Sequence, residues 1–237
     1  MRIPLLLSCL MLLTVTALAE DDHPLSQLQE LIDGANDDSI ITVTRGRYVG
    51  PTSLLITQRA KLTLDCEIGT EILVDDVNQH VVAISASSAI TIDGALLRHV
   101  KPLTEYQCHG NVVNVEGCTG VTISNCDING CGAIGVSVEG CTGVAIVDSF
   151  VHENTFNAFY LRSSSDIDIL RDMITDNANI MQAYQVENLK LSDNEMSRNG
   201  GYWETKDAQP GIKKSAQKPR HRPQKDAPLP DQSEEKP

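Results

Sequence analysis

Val121-Thr-Ile-Ser-Asn-Cys-Asp-Ile128, Val144-Ala-Ile-Val-Asp-Ser-Phe-Val151, Ile167-Asp-Ile-Leu-Arg-Asp-Met-Ile174 and Leu189-Lys-Leu-Ser-Asp-Asn-Glu-Met196 are four versions of one phrase. Their first residues step by 23, 23 and 22, and each reads apolar-x-apolar, four residues, apolar. A period of this size marks a solenoid, in which one repeat is one coil stacked on the next. The apolar residues alternate instead of recurring at three and four, and Gly, Asn, Ser and β-branched residues abound, so the coils are built of strands. A flat sandwich needs hairpin signals and shows no fixed register.

The pattern extends outward in both directions. A six-residue step joins a strand end to the next apolar-x-apolar pair at Ile56/Leu62-Leu64, Ile84/Ile90-Ile92, Val115/Val121-Ile123, Val138/Val144-Ile146 and Leu161/Ile167-Ile169. The earlier coils are longer, 28 residues from Leu62 to Ile90 and 31 from Ile90 to Val121. The surplus is expected to leave the coil as loops over roughly Asp65 to Val81 and Asp93 to Gly110, where function concentrates in regular scaffolds. Ser39 to Thr44 reads as a strand. Before it, apolar residues at 25, 28, 31, 32 and 35 have helical spacing, with Asp33-Gly34 to end the helix. Such a helix would cap the open end of the first coil. Asn154, Asn177 and Asn199 fall three residues after the last apolar position of their repeats. They are expected to take the left-handed turn conformation and to stack as a structural ladder.

The ends differ from the middle. Met1 to Ala19 has a basic residue, the apolar run Ile3 to Leu13 and an Ala-x-Ala site, which predicts a signal peptide cut after Ala19 and a periplasmic or secreted protein. The run is too short to span a membrane. Residues 20–203 form the expected β-helix domain. Residues 204–237, rich in Pro and Lys, read as a disordered tail, with Trp203 placed to plug the last coil. From residue 20 to 203 there are 26 acidic and 10 basic residues. That balance argues against nucleic acid, which requires a surplus of Lys and Arg, and suits neutral or cationic ligands. Six cysteines follow the predicted cleavage site, with no Cys-x-x-Cys pair for zinc. Cys118 and Cys141 lie one repeat apart. Stacking would bring their backbones to about 4.8 Å, within disulfide range. A disulfide and a packed row of small apolar residues both stand.

Leu28-Gln-Glu-Leu-Ile-Asp-Gly-Ala35, Ser39-Ile-Ile-Thr-Val, Arg45-Gly-Arg-Tyr-Val-Gly50, Leu62-Thr-Leu-Asp65 and Ala89-Ile-Thr-Ile-Asp-Gly94 resemble the opening of right-handed parallel β-helix proteins of the pectate-lyase-like type, including the CASH and NosD-type groups. The later coils are similar to their parallel β-helix repeats. The resemblance covers about residues 25–203. It implies an all-β, right-handed, single-stranded parallel β-helix of about seven short coils with an N-terminal capping helix. Functionally it spans polysaccharide lyases, galacturonidases, uronate epimerases and non-catalytic surface proteins. The hydrolase motifs of such enzymes are not present as an ordered set over successive coils. Asp-Asp pairs fall early, Asp75-Asp76 in a loop and Asp21-Asp22 and Asp37-Asp38 before it, Cys108-His109-Gly110 half matches a Gly-His-Gly, and the one Arg-x-Lys, Arg59-Ala-Lys61, precedes it instead of following.

Stacking places Asn125, Asp148, Arg171 and Asp193 in one row and Cys126, Ser149, Asp172 and Asn194 in the next. Beyond the following strand come Asn129, His152, Thr175 and Ser197, then Gly130, Glu153, Asp176 and Arg198. Two readings follow. The first is a non-catalytic module binding a polysaccharide or cell-surface glycan along its ladder face. The second is a small uronate lyase or epimerase with His152, Asp148, Arg171 and Asp172 as catalytic residues and Glu153, Asp176, Asp193 and His109 as binding residues. Calcium is implied only if the chain is a lyase. His80, His99 and His109 match no metal spacing, and no metal site is expected.

Overall fold

The computed structural model describes residues 22–206, apart from 104, 106, 131, 201 and 202, with backbone alone for 203–206. The expected signal peptide and most of the expected tail lie outside the described residues, as do Cys131 and the side chain of Trp203. Strand Trp203–Lys206 runs three residues past the expected tail boundary and adds onto the strand before it.

The chain winds through three columns of strands, and every pairing between strands is parallel. Face 1 stacks Leu54–Thr57, Val82–Ser85, Val113–Glu116, Ile134–Glu139 and the first halves of Asn157–Leu170 and Asn179–Ser192. Face 2 stacks Ile40–Val43, Ala60–Cys66, Ser88–Asp93, Thr119–Ser124, Thr142–Val147 and the second halves of the same two long strands. Face 3 holds eight short strands, from Asp22–Pro24 through Gly46–Gly50, Thr70–Val74, Leu96–His99, Asp127–Asn129, Phe150–His152 and Met173–Thr175 to Glu195–Ser197.

The register is the one the apolar pattern dictates. Leu62 pairs with Ile90, Ile90 with Val121, Val121 with Val144, Val144 with Ile167 and Ile167 with Leu189. Alternation sends these residues inward, where they are fully buried. The solenoid has about eight turns instead of seven. Thr70–Val74 and Leu96–His99, inside the segments expected to be loops, are face-3 strands. The true excursions shrink to residues 75–81 and 100–112.

Helix Leu25–Gly34 closes the first coil by burying Leu25, Leu28 and Ile32. A Cβ at Gly50 would sit 2.7 Å from Leu25 Cβ, so only glycine lets the helix land there. Arg59 fastens its C-terminal end, donating to the carbonyls of Ala35 and Asp33 at 3.2 and 2.7 Å.

Candidate functional site

Many turns of the coil use the same two-residue device: a residue with positive φ, then a residue, usually polar, whose side chain faces inward. Between faces 2 and 3 the left-handed residues are Asn125, Asp148, Arg171 and Asp193, and after face 3 they are Glu153, Asp176 and Arg198. The asparagines therefore do not take the left-handed position themselves; they follow it and point in. Asn154 donates its backbone N–H and its side-chain amide to Asn177 Oδ1 at 3.1 and 2.8 Å, and Asn177 does the same to Asn199 at 3.0 and 2.9 Å. The turn between faces 2 and 3 carries a chemically mixed version. Cys126 N–H donates to Ser149 Oγ (3.2 Å), Ser149 N–H to Asp172 Oδ1 (2.7 Å) and Asp172 N–H to Asn194 Oδ1 (2.8 Å).

This geometry separates the residues the sequence grouped as catalytic. Asp172 is inside the ladder, 1% exposed, and is not available to a ligand on the surface. Its direction follows from its place, one residue after the left-handed Arg171. Burial raises its carboxyl to about 7; the Ser149 N–H opposes the rise and Asp148 adds to it. Asp148 and Arg171 stay outside and form a two-pronged pair at 2.8 and 2.7 Å. Asp193, the next residue of that row, accepts from Ser192 at 2.8 Å.

A second cluster surrounds His152, at the opposite end of strand Phe150–His152. Its Nε2 lies 2.9 Å from Asp127 Oδ1 and 3.1 Å from Asn129 Nδ2, its Nδ1 lies 3.3 Å from Glu153, and its ring stacks on Phe150 at 3.7 Å. Asp176 stands beside it, paired with Arg198 at 2.7 and 2.6 Å. Arg198 and then the Thr175 hydroxyl hold the Asp176 carboxyl down to about 2. Asp127 is the member that row-by-row reading missed. It pairs in register with Phe150, and it reaches His152 diagonally. The signal was there in a spacing of 25 in place of 23. An imidazole between two carboxylates is equipped to move a proton.

The excursions hold structural histidines. His99 is fully buried with Nε2 against Gln79 O at 2.9 Å, and His80 Nδ1 accepts the Asn111 N–H at 2.9 Å. Burial lowers both from the usual histidine range. His109 is exposed on the second excursion and is not brought to either cluster by any contact shown. Among the described residues no group of three or more His, Cys, Asp or Glu is placed to hold a metal ion. Calcium does not fit the Asp148 row, where Asp148 is tied to Arg171 and Asp172 is inside.

Cys118 and Cys141 stand as free, buried thiols instead of the disulfide their spacing allowed. They stack in register, so their Cα–Cβ bonds run parallel instead of converging. Each is a rung of the third inward row, between faces 1 and 2. Cys118 N–H donates to Cys141 Sγ at 3.3 Å, Cys141 N–H to Ser164 Oγ at 3.0 Å, and each thiol donates back to the carbonyl two residues earlier at 3.2 Å. Burial pushes the other core thiols, Cys66 and Cys126, up to about 12.

The outer surface of face 1 differs from both charged clusters. Tyr160 and Tyr184, on adjacent coils, lie with ring centroids 6.1 Å apart at 55°. Tyr160 pairs with Gln182, and Arg162, which pairs with Tyr184, meets Glu139 at 3.3 Å.

A family model described as a right handed beta helix region matches residues 111–215. That description agrees with the parallel β-solenoid of the structure. No curated protein matches its sequence. Among solved structures, the β-helix resembles ORF18 of Geobacillus virus E2 with a TM-score of 0.56 at 10% identity, covering 70% of this chain and 38% of that one. It thus spans well under half the length of that viral protein. A putative glycosyl hydrolase from Parabacteroides merdae gives 0.49 at 13%, covering 81% and 94%. A pectin methylesterase from Yersinia enterocolitica gives 0.42 at 13%, covering 69% and 63%. The likeness to the viral protein, at this identity, concerns the fold alone. Among the described residues no helix is long and apolar enough to cross a membrane.

Proposed function

We propose that this β-helix is an exported, non-catalytic module, periplasmic or secreted, that binds carbohydrate along an outer ladder face. The observation that carries the reading is the fate of the candidate catalytic row. Asp148 and Arg171 satisfy one another and Asp172 is committed to the interior. Face 1, by contrast, presents tyrosine rings beside amide and charged side chains, the mixture of apolar plane and polar edge that suits a sugar. Enzymes acting on polysaccharides share the fold, which supports the ligand class without assigning an activity. A glycan array followed by calorimetry on the purified protein tests it. Binding to a glycan without turnover is expected, and no binding to any glycan ends the reading.

A second reading has one observation in its favour, the His152–Asp127 contact. A small uronate lyase or epimerase would use His152 to take the proton beside a sugar carboxylate. Ultraviolet absorbance of unsaturated product from uronate polymers, lost in His152→Ala, would support it. Silence across those polymers, together with no change of sugar configuration by NMR, would end it.

A further inference from the structure

Face 1 carries two outward rows on its later coils. One runs Asn114, Ser137, Tyr160, Gln182; the other runs Glu116, Glu139, Arg162, Tyr184. The tyrosines are diagonal neighbours with rings inclined at 55°, so they form an angled two-ring platform across two coils. Gln182 is held rigidly beside it. Asn157, fully buried, donates its side-chain amide to Gln182 Oε1 at 3.0 Å, while its own Oδ1 has no hydrogen-bond partner in the protein. Because the Gln182 oxygen is occupied, its amide nitrogen is the end left to donate outward. Next to Arg162 and Tyr184 the turn opens into a shallow groove of about 300 Å³, whose lining includes Thr142, Ser163, Ser165, Gln185 and Glu187. Ring faces and an amide thus lie on face 1, and hydroxyls line the turn that follows it.

The charge around that surface selects among glycans. By register the rows continue to Glu204 and Lys206, so Glu116, Glu139 and Glu204 outnumber Arg162 and Lys206 along them, and Glu187 lines the groove. The surplus is negative, as it is over residues 20–203 as a whole. A uronate chain would bring carboxylates to an acidic surface. An ammonium group would meet carboxylates and the negative faces of two aromatic rings.

We propose that the Tyr160–Tyr184 platform is the binding site for a glycan of amino sugars with free amines. The proposal rests on the carbohydrate-binding reading and adds the site and the charge of the ligand. Gln182 and Asn157 act as positioning residues, fixing a donor at the edge of the platform. The ligand lies along the solenoid axis, one coil advancing it by about 4.8 Å.

The test is calorimetry on the full chain with three oligosaccharides: deacetylated chitosan oligomers, the fully N-acetylated equivalents and oligogalacturonate. The deacetylated form is expected to bind about tenfold more tightly than the acetylated form, with affinity falling as salt rises, and oligogalacturonate is expected not to bind. Tyr184→Ala and Gln182→Ala should each weaken binding about tenfold or more, while Lys61→Ala, on the first coils, leaves it unchanged. Both substituted side chains are on the outer surface, and thermal melting of each variant confirms that the fold survives. Preference for oligogalacturonate, equal binding of the two chitin-type oligomers, or binding kept in Tyr184→Ala would overturn the proposal and leave carbohydrate binding standing. No binding to any glycan would remove both.

Discussion

Replacing Asp172 by Asn should stabilise the protein, and by an amount that depends on pH. Asp172 is the one carboxylate in a row whose next coil uses Asn194 in the same place. Asn194 accepts the Asp172 N–H through Oδ1 and donates through Nδ2 to Ile169 O at 2.8 Å. Asp172 accepts the Ser149 N–H through Oδ1 but leaves Oδ2 buried with no partner. By register the equivalent carbonyl is that of Ile146, an acceptor that only a protonated carboxyl or an amide can satisfy. The carboxyl titrates near 3.8 in the unfolded chain and near 7 in the folded one. The folded state therefore holds the proton more tightly. Stability from this residue is full below pH ~4, is lost as pH rises towards 7, and is flat above it. At about 1.4 kcal/mol per pH unit the loss reaches about 4 kcal/mol. Urea melts followed by circular dichroism at pH 4, 5.5, 7 and 8 measure it. Asp172→Asn should match the wild type within about 1 kcal/mol at pH 4 and exceed it by up to about 4 kcal/mol at pH 8. A difference independent of pH, or an Asn variant less stable at pH 8, refutes the assignment of a buried, unsatisfied carboxyl oxygen.

Two further outcomes follow from the inward rows. Asn177→Ala removes an acceptor for two donors of Asn154 and a donor to Val151 O and Thr175 O, leaving buried groups unmet; a loss of about 3 kcal/mol is expected in urea melts, and a loss under 1 would show that the ladder is not required. Cys118→Ser puts a hydroxyl where Ser87 and Ser164 already serve, so stability should change by less than about 1 kcal/mol. Thiol labelling of the native wild type should be slow at Cys118 and Cys141 and fast in urea; a fully blocked pair released only by reductant would mean a disulfide instead.

The coil register could be read from sequence because it rests on inward apolar residues with a strict period, from Leu62 through Leu189. Two things could not. Face-3 strands of three to five residues are too short for alternation to declare itself, so Thr70–Val74 and Leu96–His99 passed for loop and one coil was missed. Side-chain direction at the turns was the second. A left-handed residue breaks the two-residue alternation, so placing Asp148, Arg171 and Asp172 together did not say that the last of them points in. Stacking rows also compare residues in register, which hides a diagonal contact such as Asp127 with His152. The asparagine spacing was visible, but its use as an inward acceptor required the turn geometry.

The three inward rows have a direction. In each, a backbone N–H of one coil is satisfied by a side chain of the coil that follows it in sequence: Asn154 by Asn177, Asp172 by Asn194, Cys141 by Ser164. A chain leaving the ribosome N-terminus first thus completes the turns of each coil only when the next coil has emerged and docked. Until then the growing end exposes unfinished amides, and each new coil both seals its predecessor and becomes the next open edge. The solenoid is a one-way zip whose teeth are closed from the C-terminal side, so shortening it from that side unfastens the last remaining coil while those before it stay sealed.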